Sequence, residues 1–135
     1  MTSSDASRRL AGIRVLIVDD EAEVVTLTRA ILEDEGAIVS GSASASDALD
    51  TLQRERPDAL ISDLSMPGND GYWLIGKIRA LSPARGGMTP AAAVTGNVSV
   101  EDRARVLRAG FQFHVPKPVD WERLIGVVAV LALKE

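Results

Sequence analysis

The sequence predicts an α/β fold in which five parallel strands alternate with five helices that cover both faces of one sheet. The first observation is that short apolar runs alternate with longer segments of helical periodicity along the 135-residue chain. The second is that the apolar runs are nearly continuous in hydrophobicity, as strands buried on both faces are. No internal repeat or domain boundary is apparent, and the length suits one domain.

Five short apolar runs are the predicted strands. They are Ile13–Val18, Ala37–Gly41, Asp58–Ser62, Ala91–Val94 and Phe111–Val115. The first is rich in β-branched residues, the second is the weakest, and the third leads directly into Asp63. Pro116 follows the last run. Because proline has no N–H to donate to a strand ladder, we expect this strand at an edge of the sheet.

Segments with helical spacing separate these runs. They cover about 21–35, 44–55, 72–82, 99–110 and 121–133. Ser44 and Ser99 begin capping-box patterns, and Asp120 is a suitable N-cap for the last helix. Gly36 and Gly110 are suited to stop the first and fourth helices.

Composition limits the possible functions. The net charge of −4 argues against a nucleic-acid partner, and the absence of cysteine excludes thiolate chemistry and agrees with a cytoplasmic location. One histidine, His114, excludes sites built from two histidines. The longest apolar run, Leu124–Leu133, is too short to cross a bilayer, so we expect no membrane partner. Residues 1–11 are expected to form a disordered N-terminal arm before a domain over 12–135.

Polar side chains follow four of the five predicted strands. Asp19 and Asp20 follow the first, Asp63 the third, Thr95 the fourth and Lys117 the fifth. The carboxyl ends of parallel strands share one edge of a sheet, so these groups should converge. Each has a simpler explanation alone: Asp63 could start a turn, and Asp20 could cap the first helix. Thr95 could be an ordinary strand-end hydroxyl, and Lys117 a solvated loop residue, but their coincidence favours a site.

The residue types indicate a chemistry for this site. Clustered carboxylates repel one another unless a cation joins them, and oxygen ligands suit Mg²⁺. A carboxylate beside Mg²⁺ can attack a phosphoryl group and form an acyl phosphate. Lys117, the Thr95 hydroxyl and backbone N–H groups after Asp63 could hold phosphoryl oxygens, and Gly96 leaves room for the group to enter.

Four motifs, in this order, resemble those of the receiver (CheY-like) domains of two-component response regulators. They are Val18–Glu21, Ser62–Gly71, Val94–Gly96 and Pro116–Pro118, within a resemblance from Ile13 to about Leu133. The family's fold implies a flavodoxin-like, doubly wound (βα)5 sheet with strand order 2-1-3-4-5. Segments 85–96 and 109–120 resemble receivers of hybrid histidine kinases. The chain is therefore expected to be a single-domain regulator or one piece of such a kinase.

The resemblance implies a role for each site residue. Asp63 would be the phosphoacceptor, Lys117 would pair with it or with the phosphoryl group, and Thr95 would move toward that group. The Mg²⁺ ligands would be Asp20, Asp63 and the backbone carbonyl of Ser65, with Asp19 helping through water. A phosphohistidine on a sensor kinase or phosphotransfer protein would be the phosphodonor. The domain would be a signalling receiver, not an enzyme with other substrates, and the bond between Lys117 and Pro118 could be cis.

Two features leave alternatives open. Receivers often carry Tyr or Phe three residues before the lysine, and that ring turns inward on phosphorylation; here the residue is His114. It is either a half-exposed strand residue or one that performs the switching less tightly, or else the output of the domain differs. The apolar last helix is either buried deep against the sheet or part of a homodimer or kinase-docking face.

Two other functions compete with the receiver. A phosphatase with an aspartate nucleophile normally has a second aspartate two residues later as acid and base, but Ser65 stands there. An interaction module that kept only the fold would not need Asp19, Asp20, Asp63, Thr95 and Lys117 together.

Overall fold

The computed structural model describes residues 8–133. In this part of the chain, one five-stranded sheet is flanked by five α-helices, and a short 3₁₀ turn follows the third. In chain order the elements are β1 (Arg14–Val18), α1 (Ala22–Asp34), β2 (Ile38–Ser42), α2 (Ala45–Glu55), β3 (Ala59–Asp63), α3 (Gly71–Arg79), the 3₁₀ turn (Pro83–Arg85), β4 (Ala91–Thr95), α4 (Val100–Ala109), β5 (Phe113–Pro116) and α5 (Trp121–Leu131).

The strand order decides where the site lies. All pairs are parallel and the order is β2-β1-β3-β4-β5, which confirms the predicted 2-1-3-4-5 sheet. The edge position predicted for the last strand is confirmed as well. The chain runs outward from β1 to β2 and then returns to β3 on the other side of β1. Strand order therefore reverses between β1 and β3, which opens a crevice at their carboxyl ends.

Both faces of the sheet are buried because successive strand residues point to opposite faces. Ile17, Ile61 and Val94 belong to the core layer that includes residues of α1 and α5. Leu16 and Leu60 belong to the layer that includes residues of α2, α3 and α4. This two-layer burial explains why the strands read as nearly continuous apolar runs.

The apolar character of α5 is explained largely by burial within the domain. Its buried side chains are Leu124, Ile125, Val127, Val128 and Leu131. Val130 is the large apolar side chain of α5 that stays outside, at 51% exposed, and Leu133, just beyond the helix, is 73% exposed. None of the helices between residues 8 and 133 is long and apolar enough to span a membrane.

Polar side chains begin four of the helices. The predicted caps are confirmed: Ser44, Ser99 and Asp120 each accept a backbone N–H of the first turn. Asp70 caps α3 by accepting the Trp73 N–H at 2.9 Å, a cap that the sequence analysis did not identify. The alternative that Asp20 caps α1 is wrong, because the N-cap residue is Glu21 and its side chain makes no capping hydrogen bond.

The predicted start of the last strand needs correction. β5 begins at Phe113, not at Phe111. The Phe111 N–H donates to the carbonyl oxygen of Val106 at 3.3 Å, and Gly110 has a φ of +121°. Both features belong to the turn that closes the carboxyl end of α4. Phe111, only 3% exposed, packs into the core from this turn.

The segment before β1 is part of the packed domain, so the predicted arm 1–11 is too long. Leu10 is 0% exposed and joins the core layer beside α1 and α5. Its N–H donates to the Glu35 carbonyl oxygen at 2.8 Å. The Arg9 guanidinium pairs with Glu35 at 3.0 Å and with Glu122 of α5 at 2.8 Å. Residues 1–7 of the predicted arm lie outside the described residues.

We expect Leu10→Ala to lower the free energy of unfolding by about 2–5 kcal/mol, because it leaves a cavity in a closed core. Urea denaturation followed by circular dichroism measures the change. Leu107→Ala is the matched control, since Leu107 is 53% exposed and should change stability by less than about 0.5 kcal/mol. If both substitutions lowered the free energy of unfolding equally, the result would contradict the packing of Leu10 in the core.

Candidate functional site

Three carboxylates meet at the carboxyl-terminal edge of the sheet. Asp19 and Asp20 directly follow β1, and Asp63 is the last residue of β3. One carboxylate oxygen from each residue lies within 4.8 Å of the others. The convergence predicted from the sequence is therefore present for these three carboxylates. It follows from the pairing of β1 with β3, in which Val18 is opposite Ser62.

Asp63 lies at the centre of this site. Its side chain is 5% exposed. Its Oδ1 accepts a hydrogen bond from the Lys117 ammonium at 3.2 Å and another from the Ser65 N–H at 3.3 Å. The simpler interpretation of Lys117 as a free loop lysine is wrong, because this ion pair joins the end of β3 to the loop after β5. The Lys117–Pro118 peptide bond is cis, as the resemblance suggested.

The carboxylate cluster has more negative charge than its one ammonium neutralises. Burial raises the pKa of Asp19, which is 5% exposed, and the nearby Asp63 charge raises it further. The Glu21 N–H, at 2.9 Å from Asp19 Oδ1, and the more distant Lys117 partly oppose this rise. A divalent cation would relieve the repulsion. Clustered carboxylate oxygens at this spacing, with Asp20 exposed to solvent, are a donor set that suits Mg²⁺.

The chain after Asp63 folds back tightly on the site. The Gly71 N–H donates to the Leu64 carbonyl oxygen at 3.1 Å. A Cβ atom at Gly71 would lie 2.6 Å from the Asp63 carbonyl oxygen, so the turn closes only with glycine there. Gly71 belongs to the motif recognised in the sequence, but the steric reason for a glycine there depends on the folded turn.

Thr95 and His114 are connected through one residue of the loop after β4. Thr95 is 4% exposed, and its Oγ1 accepts the Asn97 N–H at 3.1 Å. The Asn97 carbonyl oxygen accepts the Nε2–H of His114 at 3.0 Å. His114 is half-buried on β5, so the interpretation as a half-exposed strand residue describes its position. It omits the contact with the Thr95 loop, and the role of Asn97 in that contact was not foreseen.

Two cavities adjoin the site. A groove of about 270 Å³ opens on Asp63 and Lys117. Its apolar walls come from α1, the loop after β5 and α5, and include Val24, Leu27, Val119, Trp121 and Leu124. A second cavity, of about 410 Å³, borders Thr95 and Asn97 and lies next to Ser65. The Arg105 guanidinium borders it and stacks on the Tyr72 ring at 4.0 Å.

Residues 15–129 match a family model described as the response regulator receiver domain. An uncharacterised 14.6 kDa protein of Leptolyngbya boryana is 45% identical over 119 residues, which cover 88% of this chain and 89% of that protein. Hybrid signal transduction histidine kinase D of Dictyostelium discoideum is 34% identical over 131 residues, 93% of this chain but 8% of the kinase. Response regulator Rre1 of Synechocystis is 35% identical; the match covers 91% of this chain and 53% of Rre1. The chain spans only part of the last two.

Solved structures agree with the sequence relatives. The receiver domain of sensor histidine kinase PA1611 from Pseudomonas aeruginosa has a TM-score of 0.80 and 30% identity, over 90% of this chain and 98% of that one. It contains a magnesium ion coordinated in its active-site cleft. Chemotaxis protein CheY4 of Vibrio cholerae has a TM-score of 0.82 and 27% identity, over 90% and 99% of the two chains.

We expect Asp19→Asn to stabilise the protein at neutral pH when a chelator removes divalent cations. The folded-state pKa of Asp19 is raised, so its charged form destabilises the fold above the unfolded-state pKa of about 3.9. Asparagine removes the charge and keeps an oxygen for the Glu21 N–H.

Urea midpoints at several pH values measure this effect. The advantage of Asp19→Asn should shrink as the pH falls to about 4 and below, where the wild-type carboxyl is protonated in both states. Asp50→Asn, at an exposed acid of α2, is the control and should show no such trend. A variant less stable than wild type at neutral pH would contradict the repulsion within the cluster.

Proposed function

Because the chain belongs to the receiver-domain family of two-component response regulators, we propose that Asp63 is its phosphoacceptor. One observation carries this proposal: a nearly buried carboxylate at the end of a central strand contacts an ammonium and lies within 4.8 Å of two further carboxylates. The phosphodonor is a phosphohistidine of a histidine kinase or a phosphotransfer protein. The domain acts as a signalling receiver, and its only reactions are its own phosphorylation and dephosphorylation.

The hydrogen bonds of Asp63 support one attacking atom. Both Lys117 and the Ser65 N–H contact Oδ1, which leaves Oδ2 for attack on phosphorus. In the transfer, a bond forms between Oδ2 and phosphorus while the bond between phosphorus and the donor imidazole nitrogen breaks. The electron pair of that bond stays on the imidazole nitrogen, which takes up a proton from solvent. Lys117 balances negative charge on the transferred group.

The acidic cluster supports a magnesium-binding role for the remaining predicted ligands. Asp20, Asp63 and the Ser65 carbonyl oxygen would hold the ion, and Asp19 would help through water. When bound, Mg²⁺ neutralises charge on the phosphoryl oxygens. Thr95, which lies on the adjacent strand, contacts a phosphoryl oxygen after transfer and acts as a switch residue with His114.

The groove beside Asp63 supports a protein phosphodonor. Val24 and Leu27 of α1 are 37% and 52% exposed on its wall, and Trp121 of α5 also lines it. An apolar groove that ends at the acceptor carboxylate can hold a helix that carries the phosphohistidine. A cytoplasmic location belongs to this proposal, as the family implies. A homodimer through α5 stays a prediction, for which Val130 and Leu133 are the exposed apolar side chains.

We expect Asp63→Asn to abolish labelling by a small phosphodonor such as acetyl phosphate in the presence of Mg²⁺, because the amide cannot act as the nucleophile. Phosphate-affinity electrophoresis or intact-mass spectrometry detects the product, a gain of one phosphoryl group. Asp50→Asn, which changes an exposed acid outside the site, should be labelled as wild type is. A wild-type protein that stays unlabelled where another receiver is labelled would overturn the proposal.

We expect Asp20→Asn to weaken Mg²⁺ binding roughly tenfold or more, because a charged oxygen ligand is lost from a small set. Tryptophan fluorescence during Mg²⁺ titration measures the affinity, since Trp121 borders the groove that contains Asp63. Asp50→Asn again serves as the control. Unchanged affinity in Asp20→Asn would place the ion elsewhere.

A further inference from the structure

A single guanidinium joins the two helices that form the walls of the apolar groove. Arg9 Nε and Nη2 donate to the two carboxylate oxygens of Glu35, at 3.0 and 3.2 Å, and Glu35 is the last, capping residue of α1. Arg9 Nη1 and Nη2 donate to the two oxygens of Glu122, in the first turn of α5, at 2.8 and 3.1 Å. Each of two edges of the planar guanidinium therefore holds one carboxylate, an arrangement that a lysine ammonium could not reproduce.

This three-residue clamp of Arg9, Glu35 and Glu122 supplies a cation that α1 lacks. The last turn of α1 contains no basic residue, although the negative end of a helix dipole is unfavourable for the nearly buried Glu35 carboxylate. Hydrogen bonds from Arg9 lower the pKa of Glu35 and of Glu122, so both carboxyls are ionised at neutral pH. The fully buried Leu10 anchors the segment that carries the guanidinium.

The surface between α1 and α5 extends from the phosphoacceptor to this clamp. Trp121, the first residue of α5, borders the groove of about 270 Å³ that opens on Asp63. It also borders a more open depression of about 420 Å³, whose lining includes Glu35 and Glu122. The same tryptophan therefore forms part of both hollows, and its position depends on where the first turn of α5 lies relative to α1.

Stability alone does not account for the branch of the clamp that reaches α5. The Arg9 and Glu122 side chains are 44% and 74% exposed, and ion pairs this exposed contribute little to the free energy of unfolding. Burial of Leu10 already holds the segment against the core. What the bonds to Glu122 add is a fixed position of the first turn of α5, and with it Trp121, beside the end of α1.

We propose that Arg9 is a positioning residue for the protein phosphodonor, because it fixes the Trp121 wall of the groove before the donor helix docks. This inference rests on the proposed function, in which that helix carries the phosphohistidine to Asp63. Arg9 acts through Glu122 and Trp121 and not on the reacting atoms. Ordering one side chain only when the donor binds weakens association by about two- to tenfold, and the clamp removes this loss.

The first test compares a protein phosphodonor with a small one. The protein donor is the purified, autophosphorylated histidine kinase or phosphotransfer protein of the same organism that transfers fastest to wild type, and the small donor is acetyl phosphate. Arg9→Met should raise KM for the protein donor about two- to tenfold and leave kcat unchanged, because Asp63 and Lys117 are not altered. Labelling by acetyl phosphate should keep its wild-type rate. Arg9→Lys keeps the charge but not the two-edged contact, and it should be nearly as impaired as Arg9→Met.

Two control variants separate positioning from lost charge and lost stability. Arg123→Met removes a positive charge from an exposed site in the same turn of α5, outside the clamp. Ile78→Val removes one buried methylene group from the core layer on the opposite face of the sheet. Both controls should show the wild-type KM for the protein donor.

The second test asks whether Glu122 acts through Arg9 or touches the donor itself. Glu122→Gln should raise KM for the protein donor as Arg9→Met does, and it should add nothing in the Arg9→Met background. A further rise of KM in that background would assign Glu122 to direct contact with the donor and would overturn the positioning role.

The third test observes the groove wall without any donor. The sequence contains two tryptophans, so in a Trp73→Phe background the fluorescence comes from Trp121 alone. Quenching by acrylamide should increase in Arg9→Met and stay unchanged in Arg123→Met. Equal quenching in all three proteins would contradict a Trp121 wall held by the clamp.

The outcomes distinguish this inference from the function on which it rests. Wild-type protein that acetyl phosphate does not label would overturn the phosphoacceptor proposal. Labelling by acetyl phosphate without transfer from any protein donor would overturn the protein phosphodonor, and the role of Arg9 with it. An unchanged KM in Arg9→Met, or an equal loss with both donors, would overturn only the positioning role.

Discussion

The pairing of β1 with β3 is the constraint on which the site depends. It places the carboxyl end of one strand, with Asp19 and Asp20, beside the end of the other, with Asp63. Three carboxylates so close together repel, and burial of Asp19 adds a desolvation cost. The two-layer core on both faces of the sheet stabilises the strands in this arrangement. The fold therefore holds together charges that would separate in a flexible chain, which is the condition for binding a divalent cation and a phosphoryl group.

The environment of this cluster is asymmetric. Lys117 reaches Asp63 from the loop after β5, across the end of β4. An apolar groove lies toward α1 and α5, while a more polar cavity lies toward the Thr95 loop and α4. These two openings suit different events at one carboxylate. Under the proposed function, the groove would admit a protein phosphodonor to Asp63, whereas the cavity borders Thr95 and Asn97.

Much of the site could be predicted because its residues are polar groups directly after apolar runs. Asp63, Thr95 and Lys117 are recognisable in this way, and parallel strands bring such positions to one edge whatever the details of packing. Capping by Ser44 and Ser99 was equally local, since an N-cap is satisfied within one helical turn. The start of β5 was misplaced because Phe111 fits a strand pattern, whereas its N–H closes the end of α4.

What the sequence determined by itself is the fold class, the strand order implied by its four motifs, and the identity of the groups at the carboxyl edge. The tertiary structure alone decided that Leu10 and Arg9 belong to the domain, because a lone leucine in a polar segment gives no periodic signal and its burial depends on α1 and α5. It also decided what His114 contacts. Its hydrogen bond to Asn97 joins residues 17 positions apart, and only the pairing of β4 with β5 brings them within 3.0 Å.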